Sequence, residues 1–197
     1  RNVGEYFDIF RRTPMNDWHI ENKAEFENVG QWKRAWYYPQ NNETMHEAVQ
    51  RESMAARESA GILDASTLGK IDIQGSDASE FLNRVYTNAW SKLEIGKCRY
   101  GLMLNEDGMV YDDGVTTRLN ENHYIMTTTT GGAANVMSKL EDYLQTEWPE
   151  LNVYLTSVTD HFATASVCGQ NSKKILNKLI PNLDLSDENF PHMSFKV

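Results

Sequence analysis

Hydrophobic and polar positions alternate most clearly over residues 99–119, RYGLMLNEDGMVYDDGVTTRL. Tyr100, Leu102 and Leu104 precede a turn at Asn105-Glu106-Asp107-Gly108, and Val110, Tyr111 and Val115 follow it. Turn formers ending in Gly between two runs of β type predict a hairpin. Side chains along a strand alternate between faces. The second strand therefore presents Met109, Tyr111, Asp113, Val115, Thr117 and Leu119 on one side, and Val110, Asp112, Gly114, Thr116 and Arg118 on the other. The first set is the more apolar and is expected to face the core. That puts Asp113 among core residues and Asp112 toward water. A carboxylate inside costs several kcal/mol unless it is hydrogen-bonded or protonated. Such a group is a candidate for chemistry, or for a structural acid satisfied by backbone N–H groups.

The rest of the chain adds helices and further strands. Residues 1–42 carry Tyr6, Phe7, Phe10, Trp18, Phe26, Trp32, Trp36, Tyr37 and Tyr38 without a clear period. They are expected to be a loop-like segment wrapped over another surface, since aromatics at this density would otherwise be sticky. Thr44 and Glu47 form a capping box, and Gly61 is expected to close the helix they open, with Met45, Val49 and Ala56 on its buried face. Residues 62–75 read as extended, with Ile71 and Ile73 alternating about Asp72. Ser76 is expected to cap a helix bearing Phe81, Leu82 and Val85. Residues 123–130 form another strand rich in β-branched Thr, and Gly131-Gly132 opens a helix with Val136, Leu140, Tyr143 and Leu144 at helical spacing. Residues 153–159 and 162–167 are expected to pair with each other, and a helix over 171–180 stops at Pro181. Hairpins with interspersed helices predict an α+β fold: an antiparallel sheet with packed helices.

Composition narrows the function. Of 197 residues, 40% are hydrophobic and 24% charged, as in an ordinary globular domain. The net charge of −9 opposes nucleic-acid binding, which needs basic residues to neutralise phosphates. No apolar run is long enough for a membrane-spanning helix. Cys98 and Cys168 have neither metal-ligand nor redox spacing, and reduced thiols in a cytoplasmic protein are the simple expectation. The five histidines are scattered and share no helical spacing with one another, so no metal site is expected. The chain opens on Arg1 and stops at Val197, and is expected to be a piece of something longer. Periodicity and composition carry the reading no further than an α+β domain with one suspicious aspartate.

Three runs take it further: RTPMNDWHI (12–20), AARESAGILDASTLGKIDIQGSDASEFLNRVYTN (55–88) and GLMLNEDGMVYDDGVTTRL (101–119). They resemble, in order, the folate-binding domain of the glycine cleavage T-protein (aminomethyltransferase) family. YTNAWSKL, TTTTGGAA, LQTEWPELNVYLTSVT and FPHMSF bring the likeness closer to the branch fused to flavin oxidases, the alpha subunits of heterotetrameric sarcosine oxidases.

The resemblance implies an aminomethyltransferase-like folate-binding domain over residues 43–197, with residues 1–42 as the wrapping segment. It implies tetrahydrofolate as cofactor, with flavin (FAD or FMN) and NAD on other parts of the complex, and a flavin-bearing beta subunit and smaller subunits as partners. One-carbon units from sarcosine would be captured as 5,10-methylenetetrahydrofolate. Of the two acids, the family pattern selects Asp113 as general base and orienter at the folate nitrogen. Leu68 falls where the family packs an apolar side chain on the pterin, and Tyr86 and Tyr100 could stack on a flat ring or pack in the core. Thr117 and Thr129 stand where relatives often carry Tyr and Asn, and their hydroxyls could still hydrogen-bond the pterin. A Gly-Tyr-Thr-Gly-Glu-like motif that holds the pterin in the family is absent, so the folate site is expected to be incomplete in this stretch. Two other readings are a non-catalytic folate-binding module and a structural domain that holds the flavin subunit.

Overall fold

A computed structural model describes residues 9–196. In chain order it contains α1 (Asn16–Glu21), β1 (Glu25–Val29), β2 (Trp32–Tyr37), α2 (Met45–Glu58), β3 (Gly61–Asp64), β4 (Gly69–Gln74) and α3 (Ala78–Val85). There follow β5 (Cys98–Leu104), β6 (Val110–Asn120), β7 (His123–Thr128), α4 (Ala133–Asp142), β8 (Tyr154–Ser157), β9 (Ala165–Cys168) and α5 (Ser172–Leu179). Helices mixed with antiparallel strand pairs give the expected α+β class. The chain divides into two compact units, one of Arg1–Thr67 with Phe162–Leu183 and one of Leu68–His161 with Asp184–Val197.

In the first unit, the stretch expected to be loop-like contains α1 and the hairpin β1–β2. Gly30, with φ 58°, opens its two-residue turn, a backbone conformation open to Gly at little cost. Arg11 stacks on the Trp32 ring 4.0 Å from its centroid. Tyr6 and Phe7 lie outside the described residues. The capping box at α2 is formed: Glu47 N–H donates to Thr44 Oγ1 and Thr44 N–H to Glu47 Oε2. Gly61 does not close this helix, which ends at Glu58, but opens β3. Its buried position is Ala48, while Val49 is exposed.

The second unit is built on a five-stranded sheet in the order β5-β6-β7-β4-β8. The expected hairpin is β5–β6, with Gly108 at φ 81° and its N–H donating to Asn105 O. β8 lies against β4, and β9 pairs with β3 in the first unit, so the two late strands expected to pair with each other do not. The helix after β4 starts at Ala78 behind Asp77, and Ser76 makes no cap; the Asp77 carboxylate accepts the Asn152 N–H instead. Phe81, Leu82 and Val85 of α3 and Val136 and Leu140 of α4 are buried as their spacing predicts. They join Ile71, Ile73, Met103, Tyr124, Met126, Tyr86, Trp90 and Leu93 in one core against one face of the sheet. Each such fully buried apolar side chain contributes about 1.5–3 kcal/mol.

Candidate functional site

The core face decides which aspartate is inside. Along β7, Tyr124 and Met126 point into the core, and Met126 stands opposite Thr116 of β6. Met103 of β5, also in the core, stands opposite Asp112. The buried side of β6 is therefore Asp112, Gly114 and Thr116, and Asp112 is 2% exposed. Asp113, placed on the core face by the sequence pattern, is half-buried on the opposite side. The reversal has a local cause. Met109, Tyr111 and Val115 made their set the more apolar, but the other set fits more closely. Gly114 admits the β7 backbone, since a Cβ there would fall 1.9 Å from the Thr127 carbonyl oxygen. Asp112 is tolerated inside because Oδ1 accepts hydrogen bonds from Thr129 Oγ1 at 2.6 Å and Thr129 N at 3.2 Å.

On the face away from the core, Asp113 stands opposite Leu102, and Tyr100 opposite Val115. The Tyr100 hydroxyl donates to Asp113 Oδ2 at 2.8 Å. The hydrogen bond to Asp113 pushes the Tyr100 phenol above its ordinary pKa, since losing its proton would set two anions in contact. Tyr100 is 50% exposed, so a flat ring stands open to solvent beside a carboxylate oriented by that ring's hydroxyl. Thr117, two residues beyond Val115 on the same face, is nearly buried, with Oγ1 3.2 Å from Cys98 Sγ. Leu68, just before β4, is half-buried, and its carbonyl accepts a hydrogen bond from Lys70 Nζ at 2.9 Å.

Two of the six expected site residues lie elsewhere. Tyr86 is buried in the core, its ring edge-on to Trp90, and its hydroxyl has no hydrogen-bond partner among the described residues. Burial, then the charges of Asp112 and Asp113, push its phenol far above the ordinary range. Thr129 is exposed, but its hydroxyl is engaged by Asp112. The structure thus brings Tyr100 and Asp113 together with Thr117 on the same face, engages Thr129 with Asp112 and packs Tyr86 in the core.

One polar cluster in the first unit had no signal in the sequence. His19 is buried in α1, its Nδ1 2.6 Å from the Tyr38 hydroxyl and its Nε2 2.9 Å from Asp64 Oδ2. Burial pushes the Asp64 carboxyl up, and hydrogen bonds from Ser66, Thr13 and His19 outweigh it, leaving the group below the usual carboxylate range. The three residues are drawn from α1, the position just after β2 and the end of β3, so no local spacing announces them.

Comparison with known proteins places this geometry. The family model of the GCVT N-terminal domain matches residues 15–197. The chain belongs to the GCVT N-terminal domain family. It is similar to sarcosine oxidase subunit alpha of Corynebacterium sp. (strain P-1), at 57% identity over all of this chain and 20% of that protein. The subunit alpha of Rhizobium meliloti (strain 1021) is 48% identical over 99% of this chain and 20% of its own length. The chain thus spans about a fifth of the length of these relatives. The glycine cleavage system aminomethyltransferase T of Bartonella henselae shares the fold, with a TM-score of 0.75, 24% identity, and coverage of 85% of this chain and 43% of that one. Family membership and fold agree with the likeness read from the DASTLG and DGMVYDDG runs.

Proposed function

We propose that this GCVT domain binds tetrahydrofolate and accepts the one-carbon unit released when sarcosine is oxidised at a flavin carried elsewhere in the complex. The single observation that carries the reading is the Tyr100–Asp113 pair: an open aromatic ring fixed 2.8 Å through its hydroxyl to a half-buried carboxylate. A pterin is flat and edged with nitrogen donors, so a ring to stack on and an acceptor to orient it fit that chemistry. Leu68 would add apolar contact, and Thr117 a hydroxyl on the same face. Sarcosine oxidase naming and the aminomethyltransferase fold support this choice over other flat amines.

Tetrahydrofolate supplies the two nitrogens between which a one-carbon unit is carried. Oxidation of the sarcosine N-methyl group by two electrons, with oxygen reduced to hydrogen peroxide, leaves its carbon at the formaldehyde level. Bonding of that carbon to both nitrogens frees glycine and gives 5,10-methylenetetrahydrofolate. Asp113 takes up the proton displaced from the acceptor nitrogen, and Tyr100 holds the carboxylate in line for it. Partners of the reading are a flavin-bearing beta subunit and smaller subunits.

The test is Asp113→Asn in the assembled oxidase, with peroxide and methylenetetrahydrofolate both quantified. Loss of about two orders of magnitude in methylene transfer with peroxide formation unchanged is the expected result. A normal methylenetetrahydrofolate yield would refute the role of Asp113.

A further inference from the structure

The acid beside Asp113 is the more deeply buried of the two and has no part in the proton transfer above. Thr129 satisfies Asp112 Oδ1 twice, while Oδ2 is buried and has no hydrogen-bond partner among the described residues. Among the described residues no lysine, arginine or histidine pairs with it. An ionised carboxylate with one bare oxygen in a core costs several kcal/mol, whereas a protonated one has a single donor to satisfy. A second buried polar group stands in the same row. Tyr86 bridges to Met103, Met103 stands opposite Asp112, and all three are buried. Asp112 and Tyr86, each with a buried oxygen that is unsatisfied among the described residues, therefore flank one methionine without bonding each other.

The second support is the turn that Asp112 grips. Thr129 lies between β7 and α4, and Gly132 caps α4. A Cβ at Gly132 would stand 2.6 Å from Thr129 Oγ1 and 3.0 Å from Asp112 Oδ1, so the clasp occupies the space that a side chain would need. Tyr86, from the segment after α3, and Asp113, on β6 itself, are the titratable groups whose charges act on this carboxyl or feel it. Burial pushes the Asp112 carboxyl above its usual range, against the lowering effect of the Thr129 hydrogen bonds.

We propose that Asp112 is a positioning residue carried as a neutral carboxylic acid. Its Oδ1 clasps Thr129 at the β7–α4 turn, and its Oδ2 carries the proton. Asp113 is then the one carboxylate of the pair offered to a ligand, a clause that rests on the folate reading. A neutral acid is mimicked by an amide of the same shape, and an ionised one is not.

The assembled protein carrying Asp112→Asn, and separately Asp112→Ala, is compared with the wild type by thermal unfolding between about pH 4 and 8 and by titration with a stable reduced folate. A folded-state pKa above the unfolded one means that the wild type loses stability relative to the amide variant as pH rises past the unfolded value. The expected result is that pH-dependent gap, with folate affinity of Asp112→Asn within about twofold of wild type and that of Asp112→Ala reduced about tenfold. A gap that does not change with pH, or an amide variant as weak as Asp112→Ala, would overturn the proposal. Failure of the wild type to bind folate would refute the folate reading alone, and the pH-dependent gap would still decide the state of Asp112.

Discussion

Substituting Gly132 by Ala, beside the same change at Gly131, isolates the Thr129–Asp112 clasp. Gly132 has φ −87° and ψ −17°, which alanine adopts freely, so backbone strain plays no part. The new methyl would meet Thr129 Oγ1 at 2.6 Å, and that hydroxyl cannot retreat without leaving Asp112. Leaving the buried acid and hydroxyl short of that hydrogen bond costs about 1–3 kcal/mol, and the reduced freedom of the unfolded chain returns about 0.4–1. The net expectation is a destabilisation of about 1–2 kcal/mol, or roughly 2–8 °C in a domain of this size. At Gly131 an added Cβ meets nothing within 4 Å, so Gly131→Ala should be neutral or slightly stabilising. Denaturant unfolding of both variants reads the difference as a shift in midpoint at unchanged slope. Equal midpoints for the two variants would refute the claim that the turn is held through Thr129 and Asp112.

Other consequences can be measured in the same way. Gly114→Ala forces a Cβ to within 1.9 Å of the Thr127 carbonyl oxygen and should cost more than about 2 kcal/mol by separating β6 from β7, seen as loss of folded yield or a lowered unfolding midpoint. Tyr100→Phe keeps the ring and removes the donor to Asp113, so it should slow methylene transfer more than it weakens folate binding, a split visible in kcat against KM. In the first unit, the folded-state pKa of Asp64 is depressed, so its contribution to stability is present above the unfolded value near pH 4 and is lost as pH falls through the lower folded value. Asp64→Asn should therefore flatten the acid limb of a stability–pH profile, with His19→Ala destabilising at neutral pH by leaving the buried acid and Tyr38 without their shared partner.

How far the sequence could be read follows from the range of each interaction. The β5–β6 hairpin, the α2 capping box and the apolar stripes of α3 and α4 depend on neighbours within a few residues, and they were legible. The direction of β6 was not, because both faces contain an aspartate and a threonine. The buried one is made acceptable by Thr129, which is far along the chain and belongs to the next strand's end. The hairpin β1–β2 was masked by aromatic density, although Gly30-Gln31 between two β-rich runs is a usable turn signal. Strands β8 and β9 are consecutive, and consecutive strands usually pair, but each here finds an earlier strand, β4 and β3 respectively. The His19–Asp64–Tyr38 cluster is assembled wholly by tertiary structure. Resemblance selects Asp113 on the family pattern and strand alternation selects it as the buried acid; it is instead the more open of the two.

The open face of β5 and β6 is the proposed seat of a reduced folate. Calorimetric titration of the assembled protein with a stable reduced folate, in the wild type, Tyr100→Ala and Asp113→Asn, tests that directly. Binding by the wild type that falls about tenfold or more in both variants is the predicted result. Wild-type binding that neither substitution weakens, or no binding at all, would contradict it.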